Sequence, residues 1–102
     1  MHKIIEQNRE QILNLCQQFH VKKLDVFGSV LRSDFNEATS DLDFIVTFEN
    51  LSPVEYAQAH IGLLLQLEKL LQKNVDLVTE SSLRNPYFKK SIDSSRQKVY
   101  LA

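Results

Sequence analysis

The sequence predicts an α/β (α+β) domain with a small mixed sheet of three to four strands, flanked by helices in the order α-β-α-β-α-β-α. Segments with apolar residues at helical spacing alternate with short apolar runs of strand length. The chain contains only two glycines and two prolines, so each one marks a definite break or cap. Its 102 residues predict one domain covering residues 1–102.

The first two elements are a helix over residues 3–19 and a strand over residues 22–27. In the helix, Ile5, Ile12 and Cys16 recur at near-helical spacing and predict one buried face. The strand that follows ends at Gly28.

Around the next strand, a helical turn is predicted at 29–33 and a polar loop at 34–40. Residues 42–48 then form an almost continuous apolar run, which is typical of a central strand.

The third helix has a complete start signal. Ser52 can cap it, Pro53 suits its first position and Glu55 completes a capping box. The helix is predicted to run to about residue 72, with a buried side that comprises Ile61, Leu64, Leu65, Leu67 and Leu71.

The last part of the chain contains a third strand and a fourth helix. The strand spans residues 75–79, and Asn85 and Pro86 mark the start of the helix. The apolar tail at 99–101 is expected either to form a strand or to pack as a tail.

Bulk composition excludes several classes of protein. The net charge of −1 gives no general attraction to nucleic acid or to an anionic membrane. A single cysteine, Cys16, precludes an internal disulfide. No apolar run approaches the roughly 20 residues of a membrane span, and the first twenty residues lack the apolar core of a signal peptide. The expectation is a cytoplasmic protein without direct nucleic-acid binding.

Two aspartates at the start of the central strand are the first candidate site residues. Asp41 and Asp43 are two positions apart, so their side chains are predicted to lie on one face while Leu42 points into the core. Paired carboxylates need a positive partner, and Mg²⁺ is the usual one. The alternative is a turn residue followed by an ordinary exposed strand residue, but aspartate is depleted in strands.

Three further residues complete the pattern. Gly28 would let a phosphate approach the backbone closely, and Ser29 offers a hydroxyl and an N–H at a helical turn, although both also suit an ordinary strand-to-helix turn. Asp76, in the third strand, would supply a third carboxylate if that strand pairs beside the second. Three acids are enough for a two-metal phosphoryl transfer, whereas the alternative for Asp76 is an exposed position on an edge strand.

The order Gly28-Ser29, then Asp41-Leu42-Asp43, then Asp76 resembles the nucleotidyltransferase superfamily of polymerase-beta type. The stretches 26–35 and 40–46 are similar to its minimal nucleotidyltransferase branch, although Ser33 stands where members often carry glycine. The resemblance implies that Gly28 and Ser29 hold the triphosphate of ATP. It also implies that Asp41, Asp43 and Asp76 bind Mg²⁺, as two ions, and act in catalysis.

The same resemblance implies a partner. Minimal nucleotidyltransferases are commonly paired with a small HEPN-domain ribonuclease toxin, and they act as antitoxins that transfer AMP to a tyrosine of that toxin. A domain of this size is expected to lack a separate lobe for the acceptor. Two alternatives remain open at this point: an antitoxin that neutralises its partner by binding alone, and a stand-alone transferase acting on RNA or a small molecule.

Overall fold

A computed structural model describes residues 3–28 and 41–102 of the chain. The described strands are β1 (Val21–Phe27), β2 (Leu42–Phe48), β3 (Val75–Thr79) and β4 (Gln97–Leu101). They form one mixed sheet in the order β3-β2-β1-β4. The strand β1 pairs antiparallel with both β2 and β4, whereas β2 and β3 are parallel. The predicted α/β fold is therefore confirmed, and the apolar tail is a strand.

The predicted first helix is two helices, α1 (Lys3–Gln7) and α2 (Arg9–Gln18). The break falls at Asn8, whose side-chain Nδ2 donates a hydrogen bond of 2.9 Å to the Ile4 carbonyl oxygen. Asparagine side chains compete with the helical hydrogen-bond pattern in this way, so a continuous helix over 3–19 was the wrong prediction. The predicted turn at 29–33 and loop at 34–40 lie outside the described residues.

The third helix, α3 (Pro53–Leu71), begins as its sequence predicts. The Ser52 hydroxyl accepts from the Glu55 N–H at 3.2 Å, and the Glu55 carboxylate accepts from the Ser52 N–H at 3.1 Å. Its buried face was predicted only in part. The side chains buried on α3 are those of Ala59, Leu63, Leu67 and Leu71, whereas Ile61 and Leu65 are exposed.

The sheet has two unlike faces. The helices α1, α2 and α3 contribute to a large apolar core on one face, where Leu24, Phe44 and Val46 are fully buried. The opposite face carries a smaller cluster that joins β1 and β2 to the segment after β3. This segment consists of a 3₁₀ turn (Glu80–Ser82) and the helix α4 (Pro86–Ser95).

The helix α4 starts at the predicted position. The Asn85 side chain accepts hydrogen bonds from the N–H groups of Tyr87 and Phe88, at 2.9 and 3.2 Å. The described helices include none that is both long and apolar enough to cross a membrane.

Candidate functional site

The parallel pairing of β2 and β3 brings two of the predicted acids together. Asp43 and Asp76 are Cα partners in the register of these strands. Partner residues in a sheet project to the same face, so both carboxylates leave the sheet on the side that carries α4. Asp43 is half-buried and Asp76 is exposed. The two carboxylates therefore lie side by side at an accessible edge, as expected if these strands pair.

Gly28 lies against the carboxylate of Asp43. Its φ of +77° is in the left-handed region that favours glycine. A Cβ at this position would collide with Oδ2 of Asp43 and lie 3.3 Å from its Cγ. The glycine therefore allows the end of β1 to approach the acid closely, and it leaves backbone rather than side chain next to the carboxylate.

A cleft of about 440 Å³ opens beside these residues. One wall is made by the end of β1 and by Asp43, and the other by α4. Its lining comprises Phe27, Gly28, Asp43, Phe88, Ser91, Ile92, Ser94 and Ser95. The cleft thus combines an acid, an open backbone position, aromatic and aliphatic surface, and several hydroxyl groups.

The remaining predicted site residues are Asp41 and Ser29. Asp41 is exposed and immediately precedes β2, two positions before Asp43. Leu42 between them is fully buried, as its predicted inward orientation requires. Ser29 lies outside the described residues, so its predicted role stays a prediction.

The donor set of the site suits a hard cation. Asp43 and Asp76 offer only carboxylate oxygens, which Mg²⁺ prefers to nitrogen or sulfur. Within residues 3–28 and 41–102, no three acidic, histidine or cysteine side chains are grouped closely enough to hold a metal ion, so Asp41, Asp43 and Asp76 do not form such a group by themselves. Mg²⁺ commonly takes one or two carboxylates and completes its shell with substrate phosphates and water. The acids present therefore fit a metal that binds together with a nucleotide.

The chain's single cysteine takes no part in this site. Cys16 is fully buried in the core on the other face of the sheet. Burial raises the pKa of its thiol to about 12. A thiol with such a pKa is neither a thiolate nucleophile nor a ready metal ligand at neutral pH.

Sequence reasoning missed a cluster of charges at the C-terminal end of α4. Arg96 follows α4 directly, and its side chain contacts Asp25, Glu80 and Asp93 at 2.6 to 3.0 Å. Hydrogen bonding to Arg96 is the main cause that lowers the pKa of Glu80 and that of Asp93. One signal was available in the sequence. Asp25 lies in an otherwise apolar strand segment, the same anomaly that drew attention to Asp43.

Comparison with known families matches the chain to the nucleotidyltransferase domain family over residues 9–99. The chain is 38% identical over 79 residues to MJ1379 of Methanocaldococcus jannaschii, a candidate protein adenylyltransferase, covering 78% of this chain and 77% of that one. It is 39% identical over 71 residues to the protein adenylyltransferase MntA of Thermococcus cleftensis, covering 70% of this chain and 68% of that one.

Solved structures show the same fold. A candidate minimal nucleotidyltransferase superimposes with a TM-score of 0.67 at 31% identity, covering 95% of both chains. A structure of tri-AMPylated Shewanella oneidensis HEPN toxin in complex with MNT antitoxin superimposes with a TM-score of 0.63 at 20% identity, covering 95% of this chain and 72% of that one. The second likeness is one of fold alone. By the family match, the identity to its relatives and the shared fold, this chain belongs to the nucleotidyltransferase domain family and is a nucleotidyltransferase.

Proposed function

We propose that this chain is a Mg²⁺-dependent protein adenylyltransferase that acts as an antitoxin, transferring AMP from ATP to a tyrosine hydroxyl of a HEPN ribonuclease toxin. The observation that carries the proposal is the pair of neighbouring carboxylates, Asp43 and Asp76, set against the bare backbone of Gly28. Relatives at 38–39% identity bear the name protein adenylyltransferase. Fold neighbours include complexes of an MNT antitoxin with its HEPN toxin and a complex with AMP-PNP.

Each residue has a role in this proposal. Gly28 and Ser29 receive the triphosphate, because the glycine leaves room for phosphate oxygens near the backbone N–H groups. Asp41, Asp43 and Asp76 hold the Mg²⁺ ions. When bound, Mg²⁺ would neutralise the triphosphate and polarise its α-phosphoryl group.

The reaction balances as an in-line displacement. The acceptor oxygen forms a bond to the α-phosphorus, and the bond from that phosphorus to the bridging oxygen of the β-phosphate breaks. Pyrophosphate leaves. Asp76 is the acid best placed to take up the acceptor proton, because it is exposed to an incoming hydroxyl while Asp43 is half-buried. The proposed use of ATP as the donor agrees with the predicted cytoplasmic location.

The test is transfer to a purified HEPN protein encoded beside this gene. Incubation with ATP and Mg²⁺ should add AMP to a tyrosine, detected by mass spectrometry of the intact toxin and its peptides. Asp43→Asn should abolish the addition, and Glu49→Gln, an exposed acid just beyond the other end of β2, should not.

Other outcomes would contradict the proposal in distinct ways. A stable complex without added AMP, in which the toxin is nevertheless inhibited, would establish neutralisation by binding alone. AMP transferred to RNA or a small molecule, but not to the HEPN protein, would establish a stand-alone transferase. The net charge of −1 weighs against RNA as the acceptor, because phosphate backbones are bound mainly by excess positive charge.

A further inference from the structure

The helix that forms one wall of the cleft has little apolar anchorage. Ile92 is the one buried side chain of α4. It packs in a small cluster with Phe27, Ile45 and Leu83, whereas the opposite face of the sheet carries a core several times larger. A helix held by one buried side chain can shift or rotate at small cost. Its position over the cleft must therefore depend on other contacts.

Arg96 supplies most of those contacts at the C-terminal end of α4, and Lys89 of the helix adds one from its Nζ to Glu80 Oε1 at 3.5 Å. The Nε of Arg96 donates to Asp25 Oδ2 at 2.6 Å, and its Nη2 donates to Glu80 Oε2 at 2.7 Å. Its Nη1 donates to Asp93 Oδ1 at 2.8 Å and to Glu80 Oε1 at 3.0 Å. The guanidinium group is planar with its donors in a fixed arrangement, so these bonds fix direction as well as distance. They join α4 to β1 and to the 3₁₀ turn.

The contact with β1 is buried and depends on Arg96. The side chain of Asp25 is 3% exposed and that of Arg96 is 12% exposed. Oδ1 of Asp25 is buried and has no hydrogen-bond partner within the described part of the chain, while Oδ2 is also 3.7 Å from Lys23 Nζ. A buried carboxylate without its cation is costly, so the folded chain favours conformations in which Arg96 stays beside Asp25.

The same strand connects this contact to the site. Asp25 and Phe27 lie on one face of β1, because side chains alternate along a strand. Phe27 is the Cα partner of Asp43, and Gly28 follows it. Arg96 therefore fixes α4 to the very strand whose end forms the other wall of the cleft.

We infer that Arg96 is a positioning residue, which sets the separation of α4 from Gly28 and Asp43 and thereby the affinity of the cleft for a magnesium-bound nucleotide. It acts through α4 and touches no substrate. This inference rests on the proposed nucleotide site but goes beyond it, since it assigns the shape of that site to an ion cluster at the C-terminal end of the helix that lines it.

The experiment compares Arg96→Lys and Arg96→Gln with Arg9→Gln. Arg9 pairs with Glu6 at 3.4 Å, and the pair is exposed. Both residues belong to the helices on the face of the sheet opposite to α4. Affinity for Mg²⁺·AMP-PNP is measured by calorimetry well below the unfolding temperature of each variant. Both Arg96 variants should bind about 10- to 100-fold more weakly, the range usual when a residue that orients a binding group is lost. Arg9→Gln should bind as the unaltered chain does.

Arg96→Lys separates positioning from general stability. Lysine retains the charge but cannot satisfy three carboxylates with a planar fork, so stability should recover more than affinity does. If Arg96→Gln fails to fold, Asp25→Asn combined with Arg96→Gln removes the buried charge and serves in its place. Hydrogen exchange of the α4 amides should be faster in the Arg96 variants than in the Arg9 variant.

The outcomes are distinct. Folded Arg96 variants that bind Mg²⁺·AMP-PNP like the unaltered chain would overturn the inference and leave the proposed function standing. An unaltered chain that does not bind Mg²⁺·AMP-PNP would refute the proposed function itself.

Discussion

Asp43 and Asp76 are direct neighbours across the parallel pairing of β2 and β3, and their carboxylates leave the sheet on the same face. Like charges at paired positions of a sheet destabilise it. A cation bound by both carboxylates would offset this repulsion. This relationship leads to the first prediction.

Asp76→Asn should raise the unfolding temperature slightly in the absence of metal, by the equivalent of roughly 0.2–1 kcal/mol. It should also remove most of the stabilisation that Mg²⁺·ATP gives the unaltered chain, because a ligand stabilises only the state that binds it. Thermal unfolding with and without Mg²⁺·ATP measures both effects. Glu49→Gln is the control and should retain the full ligand response. Loss of stability in metal-free Asp76→Asn would contradict the assigned repulsion.

Gly28→Ala should damage the site far more than the fold. The added Cβ would displace the Asp43 carboxylate, and the positive φ would add strain of about 1–3 kcal/mol. Displacement of a reacting group by about 1 Å can cost roughly 100-fold in rate, so transfer should fall by at least that factor.

The chain's other glycine provides the control for this prediction. A Cβ at Gly62 would meet the ring of Phe19, away from the cleft. Gly62→Ala should therefore lower stability without a specific loss of nucleotide affinity in the folded protein. If both variants lost affinity equally, the loss in Gly28→Ala would come from a general disturbance of the fold rather than from the site.

Local patterns in the sequence predicted the strand and the face on which the candidate acid Asp43 lies. Alternation along a strand placed Asp43 opposite to the buried Leu42, and the apolar run around it predicted a central strand. Gly28 was predicted to let a phosphate approach the backbone, whereas its closeness to the Asp43 carboxylate was not predicted. These signals depend on neighbours in sequence, which is why they could be interpreted without a structure.

Long-range contacts could not be predicted in the same way. The register that pairs Asp43 with Asp76 is set by how β3 docks after nineteen residues of α3. Arg96 and Asp25 are 71 positions apart, and nothing near either residue identifies its partner. A guanidinium group at a helix end is usually interpreted as solvated until a buried carboxylate is found beneath it.

Acid should weaken the Arg96 cluster in a predictable direction. Hydrogen bonding to Arg96 holds the pKa of Glu80 below 4.5 and that of Asp93 below 3.8, their usual values. A carboxylate whose pKa is lower in the folded chain stabilises the fold above its unfolded pKa. That contribution disappears as the pH falls through the folded pKa.

The corresponding measurement is the difference in unfolding temperature between the unaltered chain and Arg96→Gln. This difference should be largest near neutral pH and should shrink as the pH is lowered below 4.5. Lys22→Gln removes an exposed positive charge from β1 and serves as the control, with a small difference at every pH. A constant difference for Arg96→Gln across the range would show that Arg96 does not lower the pKa of its carboxylate partners.

Ile61 and Leu65 of α3 are exposed, although the sequence predicted both on its buried face. The contrast between exposed and buried leucines of this helix provides a final test. The helix carries more apolar residues than the sheet can cover, so Leu67 is fully buried while Leu65 is 57% exposed. Leu67→Ala should cost about 2–5 kcal/mol of unfolding free energy, because it leaves a cavity in the core. Leu65→Ala should change it by no more than about 0.5 kcal/mol, as is usual at exposed positions. Both substitutions are identical in chemistry and in helix propensity, so denaturant unfolding compares burial alone. A cost for Leu65→Ala equal to that of Leu67→Ala would mean that α3 meets the sheet through a different face.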